Sequence, residues 1–231
     1  MNGMTAFVPA SAQGYVPAAQ ERPVLIVFDL DGTLADSEEL GRVLFKRVFE
    51  MMGYGVISDE LADSFNGPSA DEVCRVMGIG PDRRPEYNAL IDEVETGLVK
   101  TIGRTYAGTL EMLEALSRYA VLAILTNGAP AYCRASIEQF GFTPYISLFS
   151  GFVPGVSKAQ RIAQWERETG ARRVIAVGDR CTDVANARAA GAYAVGVTYG
   201  LGSCEELSGA DCLCASTDEV RRECLRVIAG I

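Results

Sequence analysis

The sequence predicts an α/β protein built on a doubly wound parallel sheet, and three observations carry that reading. Residues 24–28 (VLIVF), 121–125 (VLAIL) and 173–177 (RVIAV) are short, apolar, β-branched runs without polar alternation, the pattern of strands buried on both faces. Segments with apolar residues at helical spacing separate them. Each run ends directly in chemistry-bearing residues: Asp29 and Asp31 before Gly32 and Thr33, then Thr126 and Asn127, then Asp179 and Asp183. Ligand sites in open parallel sheets lie at the carboxyl ends of the strands.

Composition narrows the chemistry. A chain of 231 residues, 48% of them hydrophobic, can bury one core domain and carry a smaller insertion. With 30 acidic against 21 basic residues and no basic run, the net charge of −9 argues against nucleic acid as a partner. No apolar stretch is long enough to span a bilayer, so no membrane is expected. The 7 cysteines are scattered and contain no CxxC, which fits free thiols in a reducing, cytoplasmic setting; Cys181 stands apart because it falls inside a site-like loop. The absence of histidine excludes a Cys/His zinc site and the Ser–His and Cys–His nucleophile pairs. Acid–base work is left to carboxylate, Lys, Tyr or Cys, and a metal held by oxygen alone points to magnesium.

The first segment, residues 1–22, is rich in Ala, Pro, Gln and Gly, has neither the basic start nor the apolar centre of a secretory signal, and is expected to be a mobile tail. The strand over 24–28 then delivers Asp29 and Asp31 from an apolar floor. Two like charges so placed repel each other and lose solvent, and a divalent cation would compensate both. A helix is predicted over 38–52 from Leu40, Val43, Leu44, Val48 and Met51, with Ser37 as its cap and Gly53 and Gly55 as its stop. Further helices are expected over 58–65, 70–77 and 86–103, with a loop over Asn66, Gly67, Pro68 and Ser69. Residues 36–104 therefore form an all-helical insertion between the first strand and the rest, leaving 23–35 and 105–231 as the α/β core.

The core resumes with a helix over 109–118 and the strand over 121–125, whose end offers the Thr126 hydroxyl and Asn127 amide as neutral donors to a phosphate oxygen. A helix over 129–140 and an edge strand over 145–149 follow. Lys158 opens a helix reaching Thr169; a cation is disfavoured at that end and makes better sense aimed at an anion. After the strand over 173–177, Asp179 and Asp183 are four apart, one leaving the strand and one beginning a helix, so both can reach a cation held beside Asp29. A strand over 194–197, a strand-like stretch over 211–214 and a closing helix over 217–229 complete the chain, without an internal repeat.

Taken in order, FDLDGTL with Asp36 and Ser37, VLAIL before Thr126, the lone Lys158 and GDRCTD resemble the four signatures of the haloacid dehalogenase superfamily of phosphatases and phosphotransferases. The proline that usually follows the signature lysine is missing here. The resemblance implies a Rossmann-like core and identifies the helical insertion with a cap that closes over the site. It further implies that Asp29 attacks phosphorus and becomes an aspartyl phosphate, that Asp31 acts as acid and base, and that Lys158 steadies the phosphoryl group. Magnesium would be held by Asp29, Asp183, the Asp31 backbone carbonyl and Asp179. The helical-cap, phosphoglycolate-phosphatase-like group fits best, with a small phosphorylated metabolite as substrate and the cap loop at Asn66, Gly67 and Ser69 facing it. A second Asp at position 31 argues against dehalogenation. A sugar-phosphate mutase of the β-phosphoglucomutase type is the alternative, though it usually carries a histidine near the first motif; a non-catalytic regulatory scaffold would predict damaged motifs. A phosphonate hydrolase would need a cap lysine, for which Lys46 and Lys100 are available. Arg75, Arg83, Arg84 and Arg104 could meet a second anionic group or be solvated.

Overall fold

The computed structural model describes residues 6–7 and 24–230. The sheet runs in the order β1-β4-β3-β2-β5-β6-β7. Six strands are parallel: β2 (Val24–Phe28), β3 (Val121–Leu125), β4 (Ile146–Ser150), β5 (Arg173–Gly178), β6 (Tyr193–Val197) and β7 (Cys212–Cys214). The two-residue β1 (Ala6–Phe7) pairs antiparallel with β4. The expected mobile tail over 1–22 otherwise lies outside the described residues.

The chain starts the parallel sheet at β2, winds outward to β4, then returns to β2's other side with β5 and winds outward again. The direction of winding reverses between β2 and β5, which is where a doubly wound sheet opens a crevice. Phe28 is paired with Val177, so Asp29 and Asp179 leave neighbouring strands at almost the same level, and the Asp29 N–H donates to the Val177 carbonyl at 2.8 Å.

Alternate strand residues serve opposite faces. Val24, Ile26 and Phe28 pack with α5 (Thr109–Ser117), α6 (Pro130–Gln139) and α9 (Thr217–Ala229), while Leu25 and Val27 pack with α7 (Lys158–Thr169) and α8 (Cys181–Ala189). Trp165 of α7 is fully buried in that second layer.

The insertion folds as α1 (Glu38–Met51), α2 (Asp59–Asp63), α3 (Ala70–Val76) and α4 (Arg84–Ile102). Phe45 and Phe49 of α1 meet Phe65 edge-on at 5.3 and 5.6 Å between ring centroids, and Phe49 stacks on Tyr87 of α4 at 6.1 Å. Its apolar interior is continuous with the first layer of the core, and α4 packs on α6. The two connecting segments lie side by side, Ala35 bridging to Thr105 and the Asp36 N–H donating to the Arg104 carbonyl at 3.1 Å. One expectation is corrected: Ser37 stands at the N-cap of α1 with φ −103° and ψ 8°, outside the extended region that a serine cap uses, and makes no capping hydrogen bond. Among the described residues no helix is long and apolar enough to cross a membrane.

Removing the buried indole should test the second layer. Trp165→Ala is expected to lower unfolding free energy by about 3–5 kcal/mol in urea denaturation, with an unchanged dependence on denaturant.

Candidate active site

Asp29, Asp179 and Asp183 converge at the crevice, with carboxylate oxygens that all lie within 4.8 Å of one another. Lys158, at the first position of α7, sends its ammonium between two of them: Nζ donates to Asp29 Oδ1 and to Asp183 Oδ1, each at 2.7 Å. The charge at the helix start is thus explained by two anions rather than by solvent. Ser157 and Gln160 close a reciprocal cap that fixes the same turn.

One ammonium against three carboxylates leaves the cluster short of positive charge. Burial pushes the Asp29 carboxyl well above the usual carboxylate range; Lys158 opposes this, and Asp183, Asp179 and Asp31 add to it. Burial also raises Asp179, to about 6, with Asp183 adding to the rise and the Leu201 N–H and Arg180 opposing it. For Lys158 burial acts downward, but Asp183 and Asp29 outweigh it and the ammonium stays charged. Oxygen donors alone, crowded and under-neutralised, suit a hard divalent cation such as magnesium.

Backbone close to Asp179 makes that crowding buildable. Gly32, at φ 73°, and Gly200 press against the carboxylate: a Cβ on Gly32 would stand 2.2 Å from Asp179 Oδ2, and one on Gly200 2.2 Å from the Gly32 carbonyl oxygen. The following Leu201 N–H donates to Asp179 Oδ2 at 2.8 Å. The Arg180 N–H donates to Asp183 Oδ2 at 3.2 Å.

Asp31 turns the other way. Its Oδ1 accepts from the Tyr132 hydroxyl at 2.6 Å and its Oδ2 from the Thr126 hydroxyl at 3.2 Å, so its side chain stands outside the three-carboxylate cluster. Thr126 in turn accepts from the Gly128 N–H at 2.9 Å. Tyr132 was not among the sequence candidates; burial first, then Asp31 and Glu95, keep its phenol protonated and able to donate. Asn127 is exposed at the mouth of the cleft.

A cleft of about 460 Å³ joins these residues to the cap and is lined by Asp29, Asp31, Thr126, Asn127, Lys158, Asp179 and Asp183, with Asn66 and Gly67 on the cap side. A neighbouring cleft of about 390 Å³ shares Gly67, Thr126, Asn127 and Lys158 and adds Ser69. Ser69 is committed locally: its hydroxyl and N–H meet Glu72 in a reciprocal cap of α3. The Asn66 carbonyl accepts from Arg180 Nη1 at 3.3 Å, a direct tie between the cap loop and the residue after Asp179. Arg83 pairs with Glu86, Arg84 with Asp71, Arg104 with Glu39 and Lys46 with Asp59; Arg75 and Lys100 are exposed, and of these side chains Arg84 alone lines either of the two clefts.

The glycine contact yields a direct test. Gly200→Ala should displace Asp179 and weaken magnesium binding by about 10- to 100-fold in titration calorimetry, with the thermal midpoint as the control for folding.

Comparison with known proteins places this site in a wider group. Residues 26–197 match the family model described as haloacid dehalogenase-like hydrolase. The phosphoglycolate phosphatase of Vibrio cholerae is 27% identical over 202 residues, covering 81% of this chain and 89% of that protein. The tyrosine-protein kinase PtkA of Mycobacterium tuberculosis is 29% identical over 189 residues, covering 79% of this chain and 64% of the kinase. A solved haloacid dehalogenase-like hydrolase from Streptococcus pneumoniae superimposes with a TM-score of 0.77 at 22% identity, covering 88% of this chain and 99% of that one. With its doubly wound sheet, its helical cap and most of its length matched by the family model, the chain belongs to the haloacid dehalogenase-like hydrolases.

Proposed function

We propose that this hydrolase is a magnesium-dependent phosphatase that cleaves a small phosphomonoester through an aspartyl phosphate on Asp29. The observation that carries the reading is the divergence of the two carboxylates of the first motif. Asp29 faces the cationic side of the cluster, bound to Lys158, whereas Asp31 faces Thr126, Tyr132 and the cleft. A nucleophile and a proton donor acting on opposite sides of one phosphorus atom need that division.

The residues that would hold the metal are Asp29, Asp179 and Asp183, and the family resemblance adds the Asp31 backbone carbonyl as a further oxygen. When bound, the metal supplies charge neutralisation for the phosphoryl oxygens and the carboxylates. An Asp29 oxygen attacks phosphorus, the bond to the leaving alkoxide breaks, and Asp31 delivers a proton to that oxygen. Asp31 then takes a proton from water as the water attacks the aspartyl phosphate, which releases inorganic phosphate and restores Asp29. Lys158, the Thr126 hydroxyl and the Asn127 amide bind phosphoryl oxygens where charge spreads in the transition state. Asn66 and Gly67, which line the larger cleft, and Ser69, which lines its neighbour, are the cap-loop residues that would face the substrate. The cap excludes water while the phosphoryl group is transferred. The curated relatives named phosphoglycolate phosphatase support a small phosphorylated metabolite as substrate.

Phosphate release from a panel of phosphomonoesters should require magnesium and stop with chelator, and Asp29→Asn should lower kcat by ~10³-fold or more. Chelator-insensitive release, or full activity in Asp29→Asn, would count against the mechanism. Tyr132→Phe removes the donor to Asp31 and should lower kcat by ~10-fold with a smaller change in KM, read from steady-state kinetics.

A further inference from the structure

The cap wall of the larger cleft carries a carboxyl group that the proposed reaction leaves unused. Glu95, on α4, lines the cleft together with Asp31. Its Oε2 is shielded from solvent and has no hydrogen-bond partner among the described residues. A buried carboxyl oxygen without a partner is costly, and a donor entering through the cleft can complete it. Asp92, one helical turn away, also faces the cleft. Burial raises the Glu95 carboxyl, and the charges of Asp31 and then Asp92 raise it further.

On the cap wall the cation lining the cleft is Arg84, which pairs with Asp71, while Lys158, between Asp29 and Asp183, and Arg180, on Glu206 and the Asn66 carbonyl, stand on the core side. A carboxylate on the leaving group would therefore enter beside Asp31, Asp92 and Glu95 without a free counter-charge on this wall. A hydroxyl or ammonium group there would instead supply the missing donor.

We infer that Glu95 is a specificity-determining residue that accepts a hydrogen bond from the leaving alcohol, so that the substrate is a phosphomonoester bearing a further hydroxyl or ammonium group and no carboxylate. This deepens the phosphatase reading and rests on it. It also separates this chain's substrate from the one named for its phosphoglycolate phosphatase relatives.

The test uses the full chain with magnesium and measures kcat/KM for p-nitrophenyl phosphate, 2-phosphoglycolate, glycerol 1-phosphate and phosphoethanolamine. At least one of the last two should exceed 2-phosphoglycolate by about 10- to 100-fold, the range expected when one ester pairs a buried acceptor that the other leaves unpaired. Glu95→Leu should collapse that ratio. Glu95→Gln should reduce it for an ammonium substrate and largely preserve it for a hydroxyl substrate, which distinguishes the two donors. Turnover of p-nitrophenyl phosphate with 2-phosphoglycolate as good as or better than both donor-bearing esters overturns the inference and leaves the phosphatase reading standing. An unchanged ratio in a folded Glu95→Leu variant overturns it as well. Release from none of the four esters removes the phosphatase reading and the inference with it.

Discussion

Three crowded carboxylates, only two of them bound by the single ammonium, stand at the reversal point of the sheet and form the constraint on which the rest of the structure depends. Like charges at this separation repel strongly in a partly dry crevice, and the protein's own compensation is incomplete. Everything near the cluster is arranged to hold it regardless. Two adjacent parallel strands fix the Asp29 and Asp179 backbones, the first residue of α7 sets Lys158, and the first turn of α8 sets Asp183. None of these supports comes from the cap.

Much of this was legible in the sequence because it is local. The apolar runs at 24–28, 121–125 and 173–177 read directly as strands, and the polar residues following them read as site residues because ligand sites in open parallel sheets lie at the carboxyl ends of the strands. Lys158 was legible from its conflict with the helix dipole even though its usual neighbour is missing. Asp179 and Asp183 were picked out by spacing, but the glycine contact that seats Asp179 was not, since Gly200 and Leu201 reach it from the far end of β6.

Other features were illegible for physical reasons. Tyr132 sits within a short helix among buried residues and reads as core; only the fold brings its hydroxyl to Asp31, across about a hundred positions. Glu95 falls on a helix rich in acids, where a carboxylate reads as a solvated face, and its burial depends on α4 packing against α6. Ser69 was expected to face a ligand, yet its hydroxyl serves the helix that it starts, a use that the Ser–Glu spacing announces. Ser37 was the reverse case, a residue of good capping type in a backbone that does not permit capping.

The side-by-side connections at Ala35 and Thr105 have a consequence for how such a protein can change. Because the chain leaves and re-enters the core at a single bridge, the sheet experiences the whole helical insertion as a loop of almost no span. Variation in its length or helix number therefore adds little loop-closure cost to the sheet, and the packing of α4 on α6 is the contact that such variation has to keep. The sheet edge and the insertion are thereby joined through one narrow neck, so that change in the one need not be transmitted along the chain to the other.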